Sequence, residues 1–469
     1  MEHECVVLTR DANLCDAIRR FFDEHFCCET HFSEDWESAI QQISGQSVPT
    51  VILDVRASAD SSEAASFLNA VIAGRMPALN VITVQDDMLP IPVAAYADLL
   101  SQVTLPADCD WAESEELVES LKQILENRRA QPIPRRFVAE AGEVEITTFT
   151  PALFPVLENL LRVAHRDVTL LIIGSTGTGK TTLAKFIHNR SARRDRPFQT
   201  LACGALPADL IESELFGHAR GAFTGADRNK IGRFQAAGRG TLLLDEIDVL
   251  DPKQQAKLLR VIETGEYEMV GSTETRLSEA RLVVASNVNL EALTENAKFR
   301  ADLYYRLNVL EFPLPLLKDR PLDIVPLAME FVAEFSAKHE IAIDSVHEDF
   351  LDALKRYPWP GNIRELKNHI RRAVLFCENE QLTISDLSPA ILRTQFAEPD
   401  GEPGHHKANN GWTLSDRVAQ SEKEMLQEAL RAHDNNRTAT AKALGLSRVG
   451  LYKKLRRLGI INSQPAKST

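Results

Sequence analysis

The feature that most constrains the fold is a glycine-rich segment that directly follows an apolar stretch. Val168–Ile173 has the sequence VTLLII, and residues 174–182 continue as GSTGTGKTT before the helical pattern LAKFIHNR. This is the GxxxxGK[ST] pattern in a strand–loop–helix setting, where backbone N–H groups point at phosphate oxygens. It predicts a nucleotide-binding α/β domain, with a tight turn that binds no ligand as the alternative.

Within that loop, Lys180 is predicted to reach the β- and γ-phosphates of ATP, and Thr181 to ligate Mg²⁺. The predicted nucleotide-binding residues of the loop are Gly174, Ser175, Thr176, Gly177, Thr178, Gly179, Lys180, Thr181 and Thr182.

A second apolar strand ends in two carboxylates, in the sequence TLLLDE at Thr241–Glu246. We expect Asp245 to hold Mg²⁺ through water and Glu246 to polarise the water that attacks the phosphate. A third strand, Arg281–Ser286, leads into Asn287, whose amide is suited to sensing the γ-phosphate. Together these residues predict Mg²⁺-dependent ATP hydrolysis.

Between the first two strands lies GAFTGA, formed by Gly221, Ala222, Phe223, Thr224, Gly225 and Ala226. Burial of a Phe ring contributes about 1.5–3 kcal/mol, so a flexible loop tip is an unfavourable place for one. Either the loop folds back and Phe223 joins the core, or the ring is exposed to contact a partner. The hexapeptide alone leaves both open.

Charge is distributed unevenly along the 469 residues. The net charge is −14, residues 1–129 carry 23 acidic and 8 basic side chains, and residues 431–459 carry 8 basic and one acidic. A short basic block on an acidic chain indicates an anionic partner at the C-terminal end. No apolar run approaches the roughly 18 residues of a membrane span, so we predict a cytoplasmic protein without a membrane partner.

The chain is predicted to be an α/β multidomain protein. Residues 1–128 alternate strands (Cys5–Thr9, Thr50–Asp54, Asn80–Val84) with helices (Leu14–Glu24, Glu113–Glu126), which is typical of a parallel sheet. A linker at 129–142 leads to an α/β core from 143 to about 319 and a helical segment at 320–394. A second linker, 395–411, precedes a helical region at 412–469.

Residues Arg437–Ile460 have the form of a helix–turn–helix, in which Gly445 makes the turn and Ser447 caps the second helix. Its basic and polar side chains are suited to phosphates and groove edges, although a purely structural helical hairpin would use the same apolar pattern. The predicted DNA-binding residues are Arg437, Ser447, Arg448, Tyr452, Lys453, Lys454 and Arg457.

From the P-loop region to the C-terminus, the chain resembles the bacterial enhancer-binding proteins, which are AAA+ ATPase activators of RNA polymerase carrying sigma-54. The resemblance rests on GAFTGA, SELFGH at Ser213–His218, LLLDEI, FRADLYYRL from Phe299, and WPGNIREL at Trp359–Leu366. It implies an AAA+ P-loop domain with a helical lid and an all-α, Fis-type helix–turn–helix domain. It also implies that the GAFTGA loop contacts sigma-54.

The resemblance implies further roles and partners. Arg300 and Arg306 would be arginine fingers that act on ATP in a neighbouring subunit, and Arg364 would sense nucleotide from the lid. The partners would be the sigma-54 RNA polymerase holoenzyme, enhancer DNA and further copies of the chain, from a dimer to a hexameric or heptameric ring.

Several residues depart from the family pattern. Ala202 stands where the family commonly has the Asn that restrains the catalytic Glu, Thr181 stands where a Glu follows the P-loop Lys, and Met269 replaces an Arg. These departures put the coupling between hydrolysis and remodelling in question.

The N-terminal region resembles a flavodoxin-like response-regulator receiver. Asp54 falls at the phosphoacceptor position, and Asp11 at one of the acidic metal positions. Gln85 replaces the usual Ser or Thr, and Leu105 replaces the usual Lys. We therefore favour a degenerate receiver over one that is phosphorylated on Asp54 in the usual way.

Two other functions compete with the ATP-driven activator. A DNA-binding regulator would use the nucleotide only as an assembly ligand, which Ala202 and Met269 favour and the intact Glu246 disfavours. An AAA+ protein-remodelling chaperone would explain neither GAFTGA nor the helix–turn–helix.

Overall fold

The computed structural model describes residues 3–26, 28–43, 50–56, 62–75, 79–107, 115–126, 133–377 and 379–395. The chain divides into two compact units, Met1–Ala397 and Glu398–Thr469. The predicted helix–turn–helix, with all its DNA-binding candidates, therefore lies outside the described residues. Among the described helices, none is both long and apolar enough to cross a membrane.

The N-terminal domain is built on a parallel sheet with strand order β2-β1-β3-β4-β6. This is the order of flavodoxin-like folds, and the central strand β3 (TVILD) is buried along its whole length, as expected for a sheet covered on both faces. The predicted parallel sheet is confirmed. The strands are β1 His3–Leu8, β2 Cys28–Ser33, β3 Thr50–Asp54, β4 Asn80–Gln85, β5 Met88–Pro90 and β6 Val103–Pro106. The helices are α1 Ala12–His25, α2 Trp36–Ile43, α3 Ser62–Ala70, α4 Ile91–Leu100 and α5 Glu115–Glu126.

A β-hairpin connects this domain to the next. Its strands are β7 Phe137–Ala141 and β8 Val144–Thr148, which pair antiparallel. The predicted linker at 129–142 is therefore wrong from Phe137 onward, because Ala139 and Ala141 are buried in the apolar core of the P-loop domain.

The P-loop domain has a parallel sheet with strand order β10-β13-β16-β9-β17. The carboxyl ends of β9, β13 and β16 lie at one edge, where α/β proteins bind ligands. The strands are β9 Leu170–Ile173, β10 Phe198–Ala202, β11 Gly217–His218, β12 Lys230–Ile231, β13 Thr241–Asp245, β14 Glu266–Glu268, β15 Thr275–Leu277, β16 Arg281–Ser286 and β17 Glu311–Pro313. The helices are α6 Phe154–Val163, α7 Lys180–Arg190, α8 Ala208–Phe216, α9 Arg233–Ala237, α10 Pro252–Thr264, α11 Leu290–Glu295 and α12 Ala301–Leu307.

The following segment is helical, as predicted, and forms a lid. Its elements are α13 Pro321–His339, β18 Ser345–His347, α14 Glu348–Arg356, α15 Asn362–Phe376, β19 Gln381–Leu382 and α16 Pro389–Gln395. Trp359 is 1% exposed in its core, and the indole N–H donates to the Leu354 carbonyl at 2.8 Å.

The lid and the N-terminal domain share one sheet and one core. Strand β5 pairs antiparallel with β18, which pairs with β19, and Leu89 of β5 lies opposite Val346 of β18. Side chains of α3, α4, α13, α14 and α15 belong to the same buried apolar cluster. At its edge, the Lys355 ammonium contacts the Asp98 carboxylate at 2.7 Å. The predicted separation of the chain at residue 128 is therefore not seen, because this core spans both regions.

Candidate functional site

The P-loop turns tightly between β9 and α7. Gly177 and Gly179 have φ values of +83° and +106°, a backbone conformation that favours glycine. A Cβ on Gly177 would lie 2.2 Å from the carbonyl oxygen of Gly361 in the lid. The glycines thus permit both the turn and the close approach of the lid.

Lys180 is 5% exposed and lies at the centre of the site. Its ammonium donates to the carbonyls of Gly174 and Ser175, at 2.7 and 3.2 Å, and to Asn287 Oδ1 at 2.6 Å. Burial lowers the pKa of this amine. Carbonyl and amide oxygens partly replace the water that burial removes from the ammonium. The cation is therefore stabilised inside the site, where it can bind an anionic group.

The two predicted carboxylates flank Lys180. Thr181 Oγ1 lies 3.4 Å from Asp245 Oδ2, and Glu246 Oε1 accepts from Asn287 Nδ2 at 3.1 Å. A hydroxyl and a carboxylate on one face of a phosphate-binding loop are the oxygen donors that Mg²⁺ prefers. The residues present therefore fit a magnesium nucleotide.

The cavity between these groups has a volume of about 240 Å³, and the lid contributes Arg364 to its wall. Among the predicted loop residues, Thr176, Gly177, Gly179, Lys180, Thr181 and Thr182 line it. Gly174, Ser175 and Thr178 instead hold the loop together: the Gly174 N–H donates to the Ser286 carbonyl, and Thr178 Oγ1 donates to the Ser175 carbonyl at 2.9 Å.

Sequence reasoning missed two residues that build this site. Asn362 is 1% exposed; its amide donates to the Thr176 carbonyl at 3.0 Å and accepts from the Leu317 N–H at 2.8 Å. Asp248 accepts from Ser286 Oγ at 2.8 Å and from the Asn287 N–H at 3.3 Å. Asn362 lies within WPGNIREL and Asp248 directly follows LLLDEI, but no spacing rule marks either residue.

The two arginines of the FRADLYYRL segment do not line this cavity. Arg300 pairs with Asp302 through two contacts of 3.0 and 2.7 Å, and Arg306 with Glu263 at 3.0 Å. Their side chains are 44% and 61% exposed. They are thus placed on the surface of the P-loop domain, accessible to another molecule.

The GAFTGA loop protrudes from the antiparallel pair β11–β12. Gly221 and Gly225 have φ values of +83° and +97°, with open space around both. Phe223 is 40% exposed and lies outside the buried core, so the loop does not fold back to bury the ring. Contact of the ring with a partner stays a prediction. Its ring lies edge-to-face with the ring of His218, at 4.9 Å between centroids.

The base of the loop is fixed by short polar contacts. His218 Nδ1 lies 2.7 Å from Ser213 Oγ, and the Gly221 N–H donates to the Ala226 carbonyl at 2.9 Å. Ala226 is 5% exposed and its carbonyl closes the loop in this conformation; its assignment as a contact residue for a partner stays a prediction. Met269 is also buried, next to Val270, whose N–H donates to the Gly217 carbonyl at the base of the loop.

In the N-terminal domain, the carboxylate of Asp54 is paired with an arginine that sequence reasoning missed. The Arg56 guanidinium donates to Asp54 Oδ1 and Oδ2 and to Asp11 Oδ2, each at 2.8 Å. The hydrogen bond from Arg56 holds the pKa of Asp11 below its usual range. Leu105 is fully buried in the apolar core, so no cation approaches from that strand.

Comparison with known proteins identifies three regions of the chain. Residues 146–313 match the sigma-54 interaction domain, residues 318–403 the AAA+ ATPase lid domain, and residues 417–458 the bacterial regulatory protein, Fis family.

Relatives cover most of the chain. The transcriptional regulatory protein ZraR of Klebsiella oxytoca is 41% identical over 308 residues, which is 66% of this chain and 68% of that protein. ZraR of Salmonella typhimurium is 38% identical over 367 residues, 78% of this chain and 79% of that protein. The crystal structure of NtrX from Brucella abortus in complex with ATP is 25% identical, with a TM-score of 0.50, and covers 98% of this chain and 100% of NtrX.

Proposed function

The chain belongs to the sigma-54-dependent AAA+ transcriptional activators, and from this we propose how its residues hydrolyse ATP and transmit the reaction to sigma-54. The protein is an ATPase that activates transcription through enhancer binding. The assignment of residues rests on one observation. Lys180, Asp245, Glu246 and the lid residue Arg364 all line the same cavity.

Each side chain around that cavity has a distinct task. Lys180 neutralises the β- and γ-phosphates, and Thr181 and Asp245 hold Mg²⁺. Glu246 orients the attacking water and accepts its proton, while Asn287 senses the γ-phosphate. Bound ATP and Mg²⁺ supply the phosphoanhydride and the cation that offsets its charge. Arg364, which belongs to the lid, senses whether nucleotide is bound in the cavity.

Two surface features would complete the cycle between molecules. Arg300 and Arg306 act on the nucleotide of a neighbouring copy in a hexameric or heptameric ring, because they lie away from their own cavity. The exposed Phe223 serves as an aromatic anchor for sigma-54, since exposed aromatic residues carry much of the energy of an interface.

The flanking domains have separate tasks in this proposal. The N-terminal domain is a receiver whose switch is inactive, supported by the Arg56 contacts to Asp54 and Asp11. Residues 412–469 bind enhancer DNA as a dimer, through Arg437, Ser447, Arg448, Tyr452, Lys453, Lys454 and Arg457.

Open-complex formation at a sigma-54 promoter in vitro tests the whole proposal. We expect ATP-dependent opening by the natural chain and none by Lys180→Ala, which loses nucleotide binding. Glu246→Gln should bind ATP but neither hydrolyse it nor open the promoter. ATP-dependent opening that persists in Glu246→Gln would contradict the assigned role of Glu246.

The DNA-binding role is tested separately by removing residues 412–469. Specific DNA binding should disappear and ATP hydrolysis persist, and the affinity of the full chain should fall steeply with salt as phosphate contacts release counterions. Specific binding retained by the shortened chain would refute this assignment.

A further inference from the structure

The side chain of Glu246 is folded against the backbone of Gly204. Gly204 lies in the short 3-10 turn Cys203–Ala205, directly after β10. A Cβ on Gly204 would lie 1.9 Å from Glu246 Oε2 and 3.0 Å from Cδ. Gly204 does not have a positive φ, so its backbone conformation is open to any residue. What glycine provides here is the space that the carboxylate occupies.

The other carboxylate oxygen is held by an amide. Glu246 Oε1 accepts from Asn287 Nδ2 at 3.1 Å, while Asn287 Oδ1 accepts from Lys180 at 2.6 Å. The Asn287 backbone is fixed by Asp248 at 3.3 Å. One neutral amide thus binds both the phosphate-binding cation and the carboxylate, and these two charged groups are joined through it.

The neighbouring strand offers Glu246 no alternative partner from Ala202. Ala202 pairs in register with Asp245, next to Glu246, and its methyl group neither donates nor accepts a hydrogen bond. Two features therefore define the position of the Glu246 carboxylate. It fills the space beside Gly204, and it accepts a hydrogen bond from the Asn287 amide.

We propose that Gly204 and Asn287 are positioning residues that hold Glu246 in a resting conformation and so limit basal ATP hydrolysis. The proposal rests on the role assigned to Glu246 above. When Lys180 turns from Asn287 toward a phosphate, the amide loses one of its two charged partners. The resting position of Glu246 is then coupled to occupancy of the cavity.

Unfolding without nucleotide tests the contact itself. Gly204→Ala forces the carboxylate away from Asn287, and should lower the unfolding temperature by about 2–4 °C, the shift expected for loss of one contact in a domain of roughly 150–250 residues. In a Glu246→Ala background the same change should have no effect, because the space at Gly204 is then free. Asn287→Ala should lower the unfolding temperature more when Glu246 is present than in the Glu246→Ala background, where only the hydrogen bond from Lys180 remains to be lost. Equal shifts in both backgrounds would overturn the proposal, since independent sites are additive.

Steady-state kinetics then decide whether the conformation is a resting one. Gly204→Ala should raise basal kcat at least about threefold and leave KM for ATP within about twofold, because binding groups are untouched. An unchanged or lower kcat would overturn the proposal, since the position against Gly204 would then be catalytic or irrelevant.

The outcomes of these experiments can be distinguished from the outcomes that test the proposed function. If Glu246→Gln hydrolyses ATP normally, the catalytic role of Glu246 fails. The unfolding comparison would still decide whether Gly204 and Asn287 hold its side chain.

Discussion

Two phenylalanines close together in the chain have opposite surroundings. Phe223 is 40% exposed and lies edge-to-face with His218, whereas Phe234 is 3% exposed and stacks on Phe216 at 5.6 Å between ring centroids. The same residue type is therefore exposed on a loop in one place and packed in the core in the other.

Phe223→Ala should change the free energy of unfolding by about 0.5 kcal/mol or less, as for a surface substitution, and leave ATP hydrolysis intact. Open-complex formation should be lost, because hydrolysis no longer has a contact through which to act on sigma-54. Phe234→Ala is the matched control and should cost about 3–5 kcal/mol through the cavity it leaves. A Phe223→Ala protein that is destabilised but still opens promoters would refute the contact role.

A phosphodonor such as acetyl phosphate should not alter assembly or the ATPase rate. Arg56 occupies the Asp54 carboxylate, and Leu105 contributes only apolar contacts. ATPase activity measured across protein concentrations, with and without the phosphodonor, checks this. Activation that disappears in Asp54→Asn would show that the switch is functional.

At the scale of elements, the sheet β5–β18–β19 joins the N-terminal domain and the lid, and we expect the two regions to fold as one unit. Leu89→Ala should lower the free energy of unfolding by about 2–5 kcal/mol, since the side chain is 2% exposed in the shared core. Calorimetry should show the two regions unfolding in a single transition. Leu277→Ala, at a side chain 72% exposed, is the control and should have little effect. Separate transitions for the N-terminal domain and lid would contradict the shared core.

The sequence predicts elements whose signal is local and misses those that depend on distant partners. The P-loop follows from an apolar strand, glycines and a helix within one short segment, and the structure has β9 and α7 on either side of it. Strands β5, β18 and β19 are three residues or shorter, and they pair across distant parts of the chain. No periodicity distinguishes such short strands from loops.

The residues of the candidate site divide in the same way, into those that the sequence predicts and those that it misses. The motif residues Lys180, Asp245 and Asn287 are brought together as predicted, because the carboxyl ends of parallel strands share an edge. Arg56 and Gly204 could not be predicted, since their roles depend on where one flexible side chain lies. The burial of Ala226 likewise depends on how the loop closes.

At the scale of the whole molecule, the proposed action of Arg300 and Arg306 on a neighbouring subunit predicts that activity depends on assembly. ATP turnover per subunit should rise with protein concentration. Arg306→Ala and Lys180→Ala should each be inactive alone, and a mixture should recover turnover, because one supplies the intact cavity and the other the arginine. Arg239→Ala, which alters an exposed arginine paired with Glu279, is the control. A mixture that stays inactive while still assembling would argue against action between subunits.

The strand pairing between β5 and β18 also connects the N-terminal domain to the lid, and we expect the N-terminal domain and the ATP site each to affect the other. The lid that carries β18 reaches the P-loop through Asn362, and binding energies that are coupled must be coupled reciprocally. Nucleotide binding should therefore slow amide hydrogen exchange in residues 88–100, although none of them lines the cavity. Unaltered exchange there on saturation with nucleotide would show that the two regions are thermodynamically independent. Slowed exchange would show that the N-terminal domain senses the state of the ATP site, even though Arg56 pairs with both Asp54 and Asp11 of its acidic cluster.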